Sequence, residues 1–248
     1  MENQPKLGRF DKFARNILLD TSKMLKDAKE ELFNDVQGRV LEVGAGIGVN
    51  VFFLNKPEVT EWIAVEPDDK LTPECRTMLE VMGDRAKVFE GYLHDLNEKP
   101  NSFDCVILTP LLCSVPNPAE IVRDAHKMLK KGGKLYIIEH MGDSLGFRAA
   151  FQVTAKLPWK WTTGCNCRNN PIPALSQAGL WAEEVKLENA PLRLKKFSLM
   201  VELLKPFGMA TLTKVYKYNF NLAARSFACQ LSDVNECEKL SVAHPDYN

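Results

Sequence analysis

Residues 40–50 read Val40-Leu41-Glu42-Val43-Gly44-Ala45-Gly46-Ile47-Gly48-Val49-Asn50, an apolar, β-branched run that leads into three alternating glycines. A strand that ends in such a turn typically opens a nucleotide-binding crevice, because ligands of open α/β sheets bind beyond the carboxyl ends of the strands. Glycines suit that position since a Cβ would block the close approach of backbone and ligand. This turn is the first candidate site.

The glycine spacing indicates which nucleotide is bound. A dinucleotide site has the pattern G-x-G-x-x-G/A, and Val49 stands where its third small residue would fall. The observed pattern, G-x-G-x-G, favours S-adenosyl-L-methionine (SAM), so we predict a methyltransferase. The alternative at this point is a strand-to-helix turn that binds no ligand. The predicted cofactor-binding residues here are Glu42, Gly44, Ala45, Gly46 and Gly48.

An acidic residue follows the second predicted strand. Glu66 ends the run Trp62–Glu66 and precedes Pro67. A carboxylate at this spacing accepts hydrogen bonds from ribose hydroxyls in nucleotide-binding folds. The alternative is a residue that only caps the turn before Pro67; position and residue type together favour the ribose role.

Helical and strand patterns alternate along residues 10–140, which predicts an α/β fold with a mostly parallel sheet flanked by helices. Residues 10–33 have the apolar spacing of an amphipathic helix before the sheet. A later alternating stretch, residues 211–218, predicts a final strand. The predicted strands are 39–43, 62–66, 86–90, 103–108, 134–139, 181–187 and 211–218.

The composition excludes several classes of protein. The formal net charge is +0, so no broad nucleic-acid interface is predicted. The seven cysteines form no C-x-x-C pair, and Cys165-Asn166-Cys167 is too isolated to predict a metal site. No secretory signal or membrane-spanning run is visible. We therefore predict no metal and a reducing, cytoplasmic location.

Further motifs resemble a known family. Gly91-Tyr92-Leu93-His94-Asp95-Leu96, then Asn101-Ser102-Phe103-Asp104-Cys105-Val106-Ile107, resembles the G-x-A-E-x-L…S-F-D-x-V block of class I SAM-dependent methyltransferases of the type 11 group. Leu129-Lys130-Lys131-Gly132-Gly133-Lys134-Leu135 is similar to that family's L-x-P-G-G segment. The resemblance implies a Rossmann-like class I methyltransferase fold with a late antiparallel strand.

The resemblance also implies positions around the cofactor. Leu93 would cover the adenine ring, and His94 stands where the family has an acid near the adenine amino group. Residues just after the fourth strand line the methyl-transfer site in the family. Thr109 and Leu111 are the residues at those positions that we assign to the cofactor.

A narrower resemblance concerns the acceptor. Leu111-Leu112-Cys113-Ser114-Val115, Glu139-His140 and Trp159…Gly164-Cys165-Asn166 are similar to the methyltransferase-like alkyl-thiol S-methyltransferases of endoplasmic reticulum and lipid droplets. This implies a small lipophilic acceptor, a thiol. His140, at the carboxyl end of the fifth predicted strand, is the candidate catalytic base or substrate orienter, because imidazole exchanges protons near neutral pH; the alternative is a histidine that only hydrogen-bonds a loop carbonyl. O- or N-methylation, or SAM binding without catalysis, are the alternatives. Weak membrane-surface association through residues 145–161 is a further expectation.

These predictions divide the chain into three parts. Residues 1–37 carry the amphipathic helix, residues 38–218 form the methyltransferase domain, and residues 219–248 form a tail that we predict to be partly disordered. The sequence indicates no oligomeric state.

Overall fold

The computed structural model describes the central part of the chain and several separate segments. The described residues are 19–67, 75, 77, 80–140, 150, 152–154, 156–157, 160–161, 164–166, 174–175, 188–189 and 207–214. Predictions that concern Trp159 and residues 215–248 lie outside this part of the chain. Residues 10–18 of the predicted amphipathic helix lie outside it too.

A seven-stranded sheet organises the described residues, in the order β3-β2-β1-β4-β5-β7-β6. Strands β1 to β5 pair with one another in parallel, whereas β7 pairs antiparallel with both β5 and β6. The order reverses between β1 and β4, which is where such sheets bind ligands. The strands are β1 Gly38–Val43, β2 Val59–Glu66, β3 Ala86–Glu90, β4 Phe103–Leu108, β5 Leu129–His140, β6 Glu188–Asn189 and β7 Phe207–Thr213.

In the described part of the chain, the helices with defined bounds are α1 Lys26–Leu32, α2 Val51–Leu54 and α3 Pro118–Met128. Residues 19–24 are also helical, as predicted from their apolar spacing. Helix α3 begins with Pro118 in its first turn, and the Asn117 side chain accepts a hydrogen bond from the Glu120 backbone N–H. Both features stabilise a helix start, because they suit backbone groups that lack a partner within the helix.

Two apolar clusters cover the two faces of the sheet. Val40 of β1 packs with Ala28 and Leu32 of α1, whereas its neighbour Leu41 packs with Val122 of α3. Successive side chains of a strand point to opposite faces, so a parallel sheet covered on both faces needs apolar residues at nearly every position. The predicted mostly parallel sheet flanked by helices is confirmed.

Several boundaries differ from the predicted ones. Strand β5 begins at Leu129 instead of residue 134, and β7 ends at Thr213 instead of residue 218. The predicted strand 181–187 lies outside the described residues, and a two-residue strand occurs at Glu188–Asn189. Among the described residues, no helix has the length and apolar character needed to cross a bilayer.

Candidate active site

The glycine turn, residues 44–48, joins β1 to α2 at the carboxyl edge of the sheet. Its ends are fixed by two backbone hydrogen bonds, from the Gly44 N–H to the Val65 carbonyl at 2.8 Å and from the Gly48 N–H to the Ala45 carbonyl at 2.9 Å. Gly46 has a φ of 56°, and a Cβ built there meets no heavy atom within 4 Å. The turn therefore borders open space that a side chain would fill, which fits a ligand approaching the backbone.

Glu66 lies at the end of β2, beside this turn. Its Oε2 accepts a hydrogen bond of 2.9 Å from the Gly46 backbone N–H, and the residue is 8% exposed. A carboxylate held there, with one oxygen fixed by the turn, can accept hydrogen bonds from ligand hydroxyls. The structure thus brings Glu66 and the glycine turn together, as the sequence predicted.

Glu42 is buried beneath the turn and supports it. The Asn50 side-chain amide donates to Glu42 Oε1 at 2.7 Å and to Thr109 Oγ1 at 2.9 Å, joining the ends of β1, α2 and β4. Burial raises the pKa of Glu42 to about 7, and the nearby Lys29 ammonium opposes that rise. Burial also lowers the pKa of Lys29 to about 8. The sequence did not single out Asn50 or Lys29, which have no motif signature.

Asn50 Oδ1 is buried and has no hydrogen-bond partner within the protein. Buried acceptors of this kind are normally satisfied by water or a ligand. Polar ligand groups or ordered waters at the glycine turn are therefore expected to reach this network. This, with the open space at Gly46, is the structural support for a cofactor at the turn.

The turn after β3 was expected to contact the adenine ring. Leu93 is only 1% exposed and packs in the core, whereas Tyr92 is 57% exposed. The rings of Tyr92 and His94 stack with their centroids 5.6 Å apart. The side chains that face outward at this turn are therefore Tyr92 and His94, and Tyr92 was not among the predicted residues.

The loop after β4 contacts the glycine turn directly. A Cβ added to Gly44 would lie 2.7 Å from Leu111 Cδ1, so the two segments are closely packed. Glu139, buried in β5, accepts hydrogen bonds from the backbone N–H groups of Leu111, Leu112 and Cys113. Burial raises the pKa of Glu139 to about 7, and the hydrogen bonds from Leu111 and Leu112 oppose that rise. One buried carboxyl group thus fixes the loop.

Beyond this loop lies a cluster of two thiols and an imidazole. Cys165 Sγ is 3.0 Å from Cys113 Sγ and 3.2 Å from His140 Nδ1. All three side chains are buried. The hydrogen bond from Cys165, together with burial, raises the pKa of Cys113. We call Cys113, His140 and Cys165 the sulfur–imidazole cluster. The three residues are far apart in the sequence, and no motif predicted that they meet.

Comparison with known proteins identifies the class. The methyltransferase domain family matches residues 15–184, more than half of the chain, so the chain belongs to that family. It is a SAM-dependent methyltransferase of class I, as the glycine spacing and motif order predicted. This membership sets aside the alternative of SAM binding without catalysis.

The individual relatives described next have sequence identities of 26–28% to this chain. The chain is 28% identical over 185 residues to thiol S-methyltransferase TMT1B of Rattus norvegicus, covering 68% of this chain and 73% of that protein. It is 26% identical over 186 residues to human thiol S-methyltransferase TMT1A, covering 69% and 75%. A phosphatidylethanolamine N-methyltransferase of Cereibacter sphaeroides is 27% identical over 118 residues, covering 46% and 57%.

Solved structures share the fold. A SAM-dependent methyltransferase from Thermotoga maritima superposes with a TM-score of 0.59 at 20% identity, covering 84% of this chain and 97% of that one. An O-methyltransferase family protein from Burkholderia thailandensis has a TM-score of 0.61 at 16% identity, covering 84% and 60%. These likenesses confirm the Rossmann-like architecture.

Proposed function

We propose that the protein transfers the methyl group of SAM to a small lipophilic thiol. The observation that carries this proposal is the similarity to thiol S-methyltransferases across about two thirds of the chain. The sequence stretches that first indicated a thiol acceptor, around Cys113, His140 and Cys165, converge on one edge of the sheet and support the same conclusion.

In this proposal the residues divide into cofactor and acceptor groups. SAM supplies a methyl group on a positively charged sulfur, which a nucleophile can attack in line. Glu66 would accept the ribose hydroxyls, the glycine turn would receive the cofactor against its backbone, and the turn at Tyr92 and His94 would border the adenine. Thr109 and Leu111, at the end of β4, would lie between cofactor and acceptor.

The acceptor needs little chemical assistance beyond positioning. A thiol has a pKa of about 8.5, so a modest stabilisation of the thiolate makes it reactive at neutral pH. Holding acceptor and methyl group in line and excluding water would then supply most of the rate. His140, buried at the end of β5, is the residue we assign to orienting or deprotonating the acceptor, because imidazole exchanges protons near neutral pH.

The test is release of S-adenosylhomocysteine from purified protein given SAM and three acceptors with the same alkyl chain. One acceptor carries a thiol, the second a hydroxyl and the third an amine. Turnover of the thiol alone is the expected result. Turnover of only the alcohol or amine would contradict the thiol assignment while leaving the methyltransferase class in place.

A histidine pair tests the role of His140. His140→Gln should lower kcat for the thiol about 10²–10⁴-fold, the usual contribution of a positioned proton acceptor, with little change in the dissociation constant of SAM. His126→Gln is the matched control, since His126 lies on α3, where burial lowers its pKa to about 4. Equal losses in both variants would contradict a specific role for His140.

N-methylation of an amine is the second candidate function. It is favoured by the match to a phosphatidylethanolamine N-methyltransferase, which covers a smaller share of this chain than the thiol enzymes do. The amine acceptor in the experiment above distinguishes the two. Turnover of the amine with none of the thiol would establish this second candidate.

A weak peripheral membrane association is also proposed. Val153, Leu157 and Trp161 lie four residues apart in the sequence, each has helical backbone, and their exposed fractions are 55%, 58% and 78%. Side chains at this spacing share one helix face, and an exposed apolar face of this kind suits the bilayer interface. Cosedimentation with phosphatidylcholine vesicles should fall for Trp161→Ala; unchanged binding would contradict this role. We further propose a cytoplasmic location, at the surface of endoplasmic reticulum or lipid droplets, which is what the resemblance to the alkyl-thiol S-methyltransferases implies.

A further inference from the structure

The sulfur–imidazole cluster gathers soft donor atoms from three separate segments. Cys113 lies in the loop after β4, His140 is the last residue of β5, and Cys165 belongs to the segment 164–166. One sulfur or nitrogen atom from each residue lies within 4.8 Å of those of the other two. Convergence of two thiols and an imidazole in one buried place is not needed to pack an apolar core.

The backbone around the cluster is held on both sides. The Cys113 N–H donates to Glu139 Oε2 at 3.3 Å, and the Cys113 carbonyl accepts from the Asn166 N–H at 2.9 Å. The second bond ties the segment that carries Cys165 to the loop that carries Cys113. The exposed fractions of Cys113, His140 and Cys165 are 4%, 5% and 6%. The donor atoms are thus positioned before any ligand binds.

We propose that Cys113, His140 and Cys165 bind a zinc ion. Two thiolates and one imidazole nitrogen are a known zinc ligand set, with Zn–S distances of about 2.3 Å and Zn–N distances of about 2.0–2.1 Å. Tetrahedral ligands at those distances place two sulfurs about 3.8 Å apart and sulfur and nitrogen about 3.6 Å apart. The observed separations, 3.0 and 3.2 Å, reach these values when the side chains open by less than about 1 Å.

A disulfide between Cys113 and Cys165 is the competing explanation. It requires the sulfurs to approach to about 2.05 Å, which is also a shift of about 1 Å. A disulfide would give no role to His140 Nδ1, which lies within contact distance of Cys165 Sγ. The zinc site uses all three donors, so it accounts for more of the geometry. With zinc bound, His140 Nδ1 is a metal ligand, so of the two roles proposed above His140 keeps only that of orienting the acceptor. The loss of kcat in His140→Gln would then come from a displaced acceptor.

The first measurement is the metal content of untagged protein purified under reducing conditions. We expect one zinc per chain. Zinc affinity, measured against a chromophoric chelator, should fall for Cys113→Ser and Cys165→Ser by more than the about 10–100-fold that loss of an outer-shell partner costs. Cys105→Ser is the control, because Cys105 is buried in β4, outside the cluster. The zinc affinity of the Cys105→Ser variant should match that of the unchanged protein.

A second readout guards against unfolded variants. Co²⁺ added to the metal-free protein should give the absorption of tetrahedral cobalt–thiolate coordination, lost in Cys113→Ser while the circular dichroism spectrum persists. Absence of stoichiometric zinc, zinc affinity unchanged in both serine variants, or a Cys113–Cys165 disulfide that persists in place of metal would overturn the proposal. Metal content is measured without acceptor, so this result is independent of the proposed reaction.

Discussion

The glycine turn and the sulfur–imidazole cluster lie at the same edge of the sheet, but they are built in different ways. The turn is one contiguous segment whose function depends on backbone and open space: a Cβ at Gly46 meets nothing within 4 Å. The cluster is closed, and its donors come from positions 25 and 52 residues apart in the chain. The turn suits a cofactor common to many enzymes, whereas the cluster supplies the donor atoms of the proposed zinc site.

Buried carboxyl groups connect the two regions to the sheet. Glu42 holds Asn50 beneath the turn, and Glu139 holds the loop that leads to Cys113. If the glycine turn and the cluster have these separate roles, variants of Glu139 should change the stability of the protein and the position of the acceptor. Variants at Gly46 and Glu66 should instead change the affinity for SAM.

The largest effect is expected for Glu139→Ala. Three backbone N–H groups lose their acceptor in a buried loop, and each unsatisfied buried donor costs about 1–3 kcal/mol. The free energy of unfolding, measured by urea denaturation, should fall by about 3–5 kcal/mol. Glu139→Gln retains an acceptor oxygen and should lose less. Equal losses in the two variants would show that these hydrogen bonds do not fix the loop.

A pair of glycine variants separates backbone strain from ligand exclusion. Gly46 and Gly83 have φ values of 56° and 58°, and a Cβ at either meets nothing within 4 Å. Alanine at each should cost about 1–2 kcal/mol of stability. Only Gly46→Ala should weaken SAM binding, by at least about 100-fold or 2.7 kcal/mol in calorimetry. Similar SAM affinity in both variants would place the cofactor elsewhere.

Glu66→Ala should weaken SAM binding by about 1–3 kcal/mol, the usual value of hydrogen bonds to a charged group. Calorimetry with SAM measures this directly. Glu58→Ala is the control, because Glu58 is exposed and precedes β2 at the opposite end of the sheet. An affinity unchanged from that of the control would return Glu66 to a purely structural role.

The smallest effect concerns pH. The folded pKa of Glu42 is about 7, above its unfolded value of about 4.5, so the folded state binds more protons between these values. Glu42 therefore makes the unfolding free energy decrease as pH rises from about 4.5 to 7. Glu42→Gln, which cannot ionise, should reduce that decrease in urea denaturation at pH 5 and 7. An unchanged pH dependence would mean that Glu42 keeps an ordinary pKa.

The sequence predicted the parts of the fold that depend on local patterns. The glycine turn, Glu66 and strands β3 and β4 were found where expected, because each is a contiguous run. We predicted that β5 begins at residue 134 because Gly132-Gly133 is typical of a turn, but the strand begins at Leu129. Here Gly133 instead lets β4 and β5 approach closely: a Cβ on it would lie 3.0 Å from the Asp104 carbonyl oxygen.

The acceptor side could not be predicted in the same way. No spacing rule relates Cys113, His140 and Cys165, because the sheet and the 164–166 segment bring them together only after folding. The same holds for Lys29, whose proximity to Glu42 depends on how α1 packs against the sheet. Leu93 was assigned to the adenine ring from its motif position, but the exposure of its side chain depends on core packing, which leaves it 1% exposed.

The proposed reaction is tested most directly by finding where the methyl group goes. A long-chain alkane with a thiol at one end and a hydroxyl at the other is incubated with the protein and SAM carrying a deuterated methyl group. Mass spectrometry of the product should locate the label on sulfur, with one S-adenosylhomocysteine released per label. Label on oxygen, or no label while SAM is bound, would contradict the assignment of a thiol acceptor.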